Sequence, residues 1–252
     1  MSARTDLATD PALREMLLQA RRGQAYFSRQ LEELRDTELA GPSRLPGWSR
    51  AHVAAHVGLN ARALTRLCSW ARTGVPNPMY ASPQQRGSEI DLGATLPVRA
   101  IRHLSDHAAV HLDVEWRDLE PEQWTNEVVT AQGRTVPVGE TVWMRIREVW
   151  LHAVDLGNGG RVADFPAMVV DGLLDDLIAV WRRKRVPGSP GLVLDPTDRD
   201  RVLALDPGSA GPDDTTVRGT AVDLVAWGTG RTGAGAVRTA AGSPPPPAPQ
   251  WL

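Results

Sequence analysis

The chain has 252 residues and a formal charge of −2, length enough for one large domain or two modest ones with real cores. With no long basic run there is no electrostatic footprint for nucleic acid, and every apolar stretch is broken by charge well short of a membrane span. A single cysteine, Cys68, excludes a disulfide framework and a cysteine-rich metal site.

The opening stretch "MSARTDLATDPALREMLLQARR" has neither an apolar signal core nor a small-residue cleavage site, so a cytoplasmic protein is expected. Basic residues are nearly all arginine, with Lys184 the sole lysine, a bias that fits a GC-rich coding genome. Nine tryptophans stand against two tyrosines and two phenylalanines. Tryptophan serves both cores and ligand pockets, so composition alone leaves its role open.

Residues 10–37 read as a helix, with Leu13, Leu17, Ala20, Gln24, Phe27, Leu31 and Leu34 at three-to-four spacing and Asp10–Pro11 as cap and first turn. "AGPSRLPGW" breaks the pattern, and Ser49 caps a second helix over about 50–73. The stretch 74–96, rich in Pro, Gly, Ser and Asn, is expected to be a long loop, a lid, a pocket wall or a solvated connector. A third helix is predicted over about 97–118. "NEVVTAQGRTVPVGET" then forms a β excursion with Gly133 in its hairpin turn. A fourth helix covers about 139–156 and stops at "GNGG". Four long helices with polar connections describe an up-and-down bundle.

The texture changes near 161. A helix over 166–185 is followed by short β-like runs at 191–195, 201–205 and 215–220, then by a helix, "AVDLVAWGTGR", closed by Gly228. The tail "AAGSPPPPAPQWL" reads as extended and polyproline-like, ending in an apolar Trp–Leu pair. The expected organisation is α+β in two domains, a four-helix bundle over 1–160 and a small α+β domain over 161–252.

The chemistry-bearing residues sit on two helices. Glu148 and His152 lie four apart in "REVWLHAVD", hence on one face, where a carboxylate and an imidazole can grip one cation. That spacing alone is commonly a helical hydrogen bond. Val149, Trp150, Leu151 and Val154 make the helix a buried one, however, and a buried carboxylate needs a partner. In "GWSRAHVAAHVGLN", His52 falls in the first turn, and His56 lies one turn deeper with Asn60 on the same face. Position favours His56 without excluding His52. His103, His107 and His111 form a second stripe, but Arg102, Asp106 and Asp113 mark a partly solvated face, and the stripe reads as structural or incidental. Cys68 reads as a small buried thiol, and no serine stands in a nucleophile-elbow context.

In order, "LPGWSRAHVAAHVGLNARAL", "TAQGRTVP", "WMRIREVWLHAVDLG" and "AWGTGR" resemble the mycothiol-dependent maleylpyruvate isomerase family almost end to end. The resemblance implies a DinB-like metal-binding bundle followed by a small α+β domain resembling sterol-carrier-like folds. The family's histidine ligand lies eight residues after the tryptophan of the "GW" pair, which from Trp48 is His56, and its other ligands match Glu148 and His152. A C-terminal-domain arginine important in the family matches Arg231, and the 103–111 stripe is not part of the family's site. Gly228 departs from the pattern by softening the helix end before Arg231.

The implied reaction is conversion of maleylpyruvate to fumarylpyruvate in the gentisate branch of aromatic catabolism, with zinc (or another divalent ion) and mycothiol as cofactors. Thiolate addition makes the double bond single, the adduct rotates, and the thiolate leaves. Arg231 would hold a substrate carboxylate or the enolate formed on addition, in a cleft between domains. Asp155, one turn beyond His152, is read either as a support behind the ligands or as a helix-end residue, and the second is favoured. The partners are maleylpyruvate and mycothiol, with no nucleic acid and no membrane, and a monomer is the working state. The residues gripping the sugars of mycothiol are unassigned. The rival readings are a mycothiol S-transferase acting on other electrophiles and a non-catalytic metal- or thiol-binding module.

Overall fold

The computed structural model describes residues 5–186, 189–206, 214–231 and 234–251. The chain divides into two compact units, Met1–Gly160 and Arg161–Leu252.

In the first unit, α1 (Pro11–Glu32) starts where the Asp10 side chain accepts from the Ala12 amide, and it buries Leu13, Leu17, Ala20, Phe27 and Leu31 along one stripe. It ends earlier than the expected 37. Arg102 of α4 (Val98–Arg117) donates to the carbonyls of Leu31 and Leu34, satisfying the helix end there, and Asp36–Glu38 forms a separate 3-10 turn. The second long helix, α2 (Arg50–Thr73), opens on a capping box between Ser49 and His52 and closes at Gly74, whose φ is +73°. It packs chiefly on α4, while α1 packs on α5 (Glu140–Asp155).

The stretch 74–96 is not one long loop. It contains α3 (Pro83–Ala94), for which Ser82 accepts from the Gln85 amide and Pro83 occupies the first turn. Only Ile90 and Gly93 of α3 are buried, so it lacks the apolar stripe that announces a helix. Gly93 lets α3 lie against α2, since a Cβ there would come within 2.9 Å of the Ala55 Cβ. The β excursion is an antiparallel hairpin, β1 (Glu127–Val129) with β2 (Thr135–Pro137), and Gly133 takes φ +77° in its turn.

The loop before α2 fastens to the end of α5. The Arg44 amide donates to the Asp155 carbonyl (2.8 Å), and the Arg50 guanidinium donates to those of Leu156 (2.7 Å) and Gly157. These bonds satisfy the last carbonyls of α5 and fix the N-terminal turns of α2 beside its C-terminal turns. That juxtaposition sets the site.

The second unit is α+β. It holds α6 (Ala167–Lys184), α7 (Ala221–Gly228) and a four-stranded sheet of order β4-β3-β5-β6, with β3 (Leu192–Pro196) parallel to β5 (Thr215–Gly219). The edge strands β4 (Leu203–Ala204) and β6 (Arg238–Thr239) pair antiparallel with β3 and β5 respectively. The sequence reading missed β6, a two-residue strand too short to show alternation. Gly228 does not close α7 by a backbone turn. It packs on α6, where a Cβ would lie 2.7 Å from Leu177, and Gly230 takes the left-handed φ of +72°. The tail is strapped to α6. The Trp181 indole donates to the Pro249 carbonyl (2.9 Å) and the Lys184 ammonium to that of Trp251 (3.1 Å), and Trp251 is buried. Leu252, the other half of the expected apolar pair, lies outside the described residues. Among the described residues no helix is long and apolar enough to cross a membrane.

Candidate metal centre

His56 comes from the second turn of α2, and Glu148 and His152 from one face of α5. One carboxylate oxygen, Glu148 Oε2, lies 2.8 Å from His56 Nε2 and 3.1 Å from His152 Nε2. The two imidazoles meet edge-on, with ring centroids 4.9 Å apart. The three donor atoms lie within 4.8 Å of one another, and among the described residues this is the one group of three or more His, Cys, Asp or Glu so arranged.

The donor set suits a divalent cation. Two imidazole nitrogens converge on the same carboxylate oxygen in a buried setting, and His56 Nδ1 is buried with no hydrogen-bond partner among the described residues. Burial opposes charge on all three groups, but neighbours decide the outcome. Burial lowers the pKa of His56, whereas the two histidines outweigh burial at Glu148 and hold its carboxyl well below the usual range. At His152, bonds to Asp155 and Glu148 likewise overcome burial and hold its pKa up at about 9. Ionised Glu148 thus favours protonation of His152 while burial disfavours it at His56, and an incoming cation competes with the protons held there.

Asp155 does more than end a helix, contrary to the sequence expectation. Its Oδ2 lies 2.8 Å from His152 Nδ1, and the residue is fully buried. The contact spans i to i+3 and turns His152 Nε2 toward Glu148, the arrangement by which a carboxylate fixes the tautomer of a metal-binding histidine. His52 lies apart from the cluster. Its Nδ1 is tied to Ser49 (2.6 Å to Oγ), its Nε2 sits 3.9 Å from Asp91 Oδ1, and its side chain is partly exposed. Trp48 stacks on His52 and places its ring edge-on to His56 at 5.4 Å, an apolar neighbour on that side of the cluster.

Arg145, one turn before Glu148, escaped the sequence reading. It is 2 % exposed and donates to the Val57 carbonyl (2.7 Å), Asn60 Oδ1 (2.9 Å) and Gln24 Oε1 (2.6 Å). It thus ties α1, α2 and α5 together beside the cluster. Burial lowers its pKa to about 10, still high enough to keep it charged at neutral pH. The signal was present, because Arg145, Glu148 and His152 share three-to-four spacing on an otherwise apolar helix.

In the second unit Arg231 follows Gly230 at the end of α7. Its amide donates to the Ala226 carbonyl (2.7 Å) and its guanidinium to that of Thr229 (2.8 Å), and it is partly exposed.

A family profile described as the mycothiol maleylpyruvate isomerase N-terminal domain matches residues 20–157, and one described as the MDMPI C-terminal domain matches residues 164–249. The chain belongs to the mycothiol maleylpyruvate isomerase family.

It is also similar to a solved crystal structure of the mycothiol-dependent maleylpyruvate isomerase, at 40% identity and a TM-score of 0.88, over 98% of this chain and 100% of that one. A structure of a histidine-to-alanine mutant of that isomerase matches equally well. No curated protein matches. His103, His107 and His111 stand outside the cluster, all three exposed. Cys68 of this isomerase-family chain is buried, and burial pushes its thiol up to about 12. It has no thiolate to offer at neutral pH.

Proposed function

We propose that the chain converts maleylpyruvate to fumarylpyruvate with mycothiol as the thiol, in the gentisate branch of aromatic catabolism and in the cytoplasm. What carries this reading is family membership across both domains, together with the convergence of His56, Glu148 and His152. Zinc is the proposed ion, because three protein donors leave its preferred four-coordinate shell one position short. When bound there, it would lower the pKa of a thiol placed at that position.

The chain's own groups supply the rest. Glu148 stays ionised, and Asp155 holds His152 in the tautomer that presents Nε2. Trp48 sets an aromatic ring against His56. The mycothiol thiolate forms a carbon–sulfur bond to the activated alkene, whose π electrons move to the neighbouring carbonyl as an enolate. The former double bond then turns, the enolate collapses, and the carbon–sulfur bond breaks to return the thiolate. Arg231 is assigned to a substrate carboxylate or to that enolate, for which a guanidinium has the right fork.

Arg231→Ala is expected to lower kcat/KM about a hundredfold or more while metal content stays stoichiometric. Full turnover in that variant, with mycothiol and maleylpyruvate supplied, removes Arg231 from the chemistry.

A further inference from the structure

The segment before and within α3 brings a second arginine toward the cluster. The Arg86 guanidinium stands over the Tyr80 ring, with Cζ 5.9 Å from the centroid. Arg86 is half-buried, and among the described residues no carboxylate lies within ion-pair distance of it. The nearby acids are otherwise engaged, Glu89 accepting from Gln85 (2.7 Å) and Asp91 facing His52. The segment is also held in place. The Arg66 guanidinium binds the Met79 carbonyl, Met79 is buried, and Gly93 seats α3 on Ala55.

The segment borders the metal cluster: Gly93 of α3 packs against Ala55, the neighbour of His56 in α2, and Asp91 of α3 faces His52. The charge on Arg86 is near enough to oppose protonation of His56, and Tyr80 is half-buried. Arginines this close to a buried site normally satisfy their fork with an acid. Here the fork meets the Tyr80 ring and hydroxyl, which orient a guanidinium without neutralising it.

We infer that Arg86, braced by Tyr80, is a carboxylate-binding residue of the bundle unit that takes one end of a dicarboxylic substrate beside His56, Glu148 and His152. This deepens the proposed function and rests on it for the substrate. The arrangement suits a short dianion: one carboxylate goes to Arg86, and the alkene is carried toward the cluster. Tyr80 is a positioning residue, since it acts through Arg86. Arg62, exposed on α2 and without an ion-pair partner among the described residues, serves as the control arginine.

The test is calorimetric titration of maleate, an unreactive cis-dicarboxylate, into metal-loaded protein, alongside turnover of maleylpyruvate. Arg86→Gln is expected to weaken maleate at least about tenfold and to raise KM far more than it lowers kcat, with metal content and Tm unchanged. Arg86→Lys should lose less. Tyr80→Leu, which loses ring and hydroxyl, should weaken maleate severalfold, Tyr80→Phe, which keeps the ring and loses the hydroxyl that meets Arg86, should weaken it less, and Arg62→Gln should change nothing. Equal maleate affinity in wild type and Arg86→Gln, or no maleate binding by wild type, overturns the inference. Wild-type protein that binds maleate through Arg86 but turns nothing over sinks the isomerase reading and leaves this site standing. Turnover with Arg86-independent maleate binding does the reverse.

Discussion

His56→Ala is expected to emerge from purification without stoichiometric metal and to lose activity by about a thousandfold or more, whereas His52→Ala keeps its metal. The two histidines are one helical turn apart, yet their surroundings differ in kind. His56 is buried with Nε2 on the Glu148 carboxylate, while His52 spends its Nδ1 on the capping box that starts α2. Removing His56 leaves two donors for the cation and strips Glu148 of one of the two partners that keep it ionised. Removing His52 affects the helix start, worth about 1 kcal/mol, and the stacking of Trp48. Metal analysis of the two purified variants decides the matter: metal retained in His56→Ala and lost in His52→Ala would reverse the assignment.

Arg145→Met is expected to destabilise the bundle by about 3 kcal/mol and to weaken metal binding as a consequence. The substitution relieves the burial of a cation. It also takes a donor from Asn60 Oδ1, from the half-buried Gln24 Oε1 and from the Val57 carbonyl, which keeps its intrahelical partner, and an unsatisfied buried acceptor costs about 1–3 kcal/mol. The orphans win because three acceptors on two other helices lose one common donor. Val57 and Asn60 flank His56 on α2, so loosening them disturbs the cluster's geometry. Arg145→Lys, with one compact ammonium, cannot reach all three acceptors and should fall between. Urea denaturation measures the loss, and a change under about 0.5 kcal/mol would show that the three contacts do not act together.

Long periodic elements were legible in the sequence, and short or aperiodic ones were not. The stripes of α1, α4 and α5 and the Ser49 cap of α2 are local signals, and they appear where expected. The helix α3 hid because Gly93 and Ile90 alone face inward, and its proline and glycines read as loop chemistry. Arg86 hid with it. Glu148 and His152 were visible as a pair from spacing, but the choice of His56 over His52 came from resemblance to the family. Its physical cause, the fastening of the 41–50 loop onto the end of α5 by Arg44 and Arg50, is a long-range fact that no window of sequence contains. Asp155 and Arg145 were both in plain view at helical spacing from the cluster. What was missing was the burial that turns an ordinary i,i+3 neighbour into an orienting partner, and a surface-type arginine into a clamp.

The family assignment fixes the kind of protein and leaves its reaction to be measured. The most direct measurement follows maleylpyruvate by NMR in metal-loaded protein, with and without mycothiol. The account predicts fumarylpyruvate formed only with mycothiol, the thiol returned unconsumed, and conversion lost on removing the metal. Conversion without thiol, or mycothiol consumed into a stable adduct as an S-transferase would do, would contradict it.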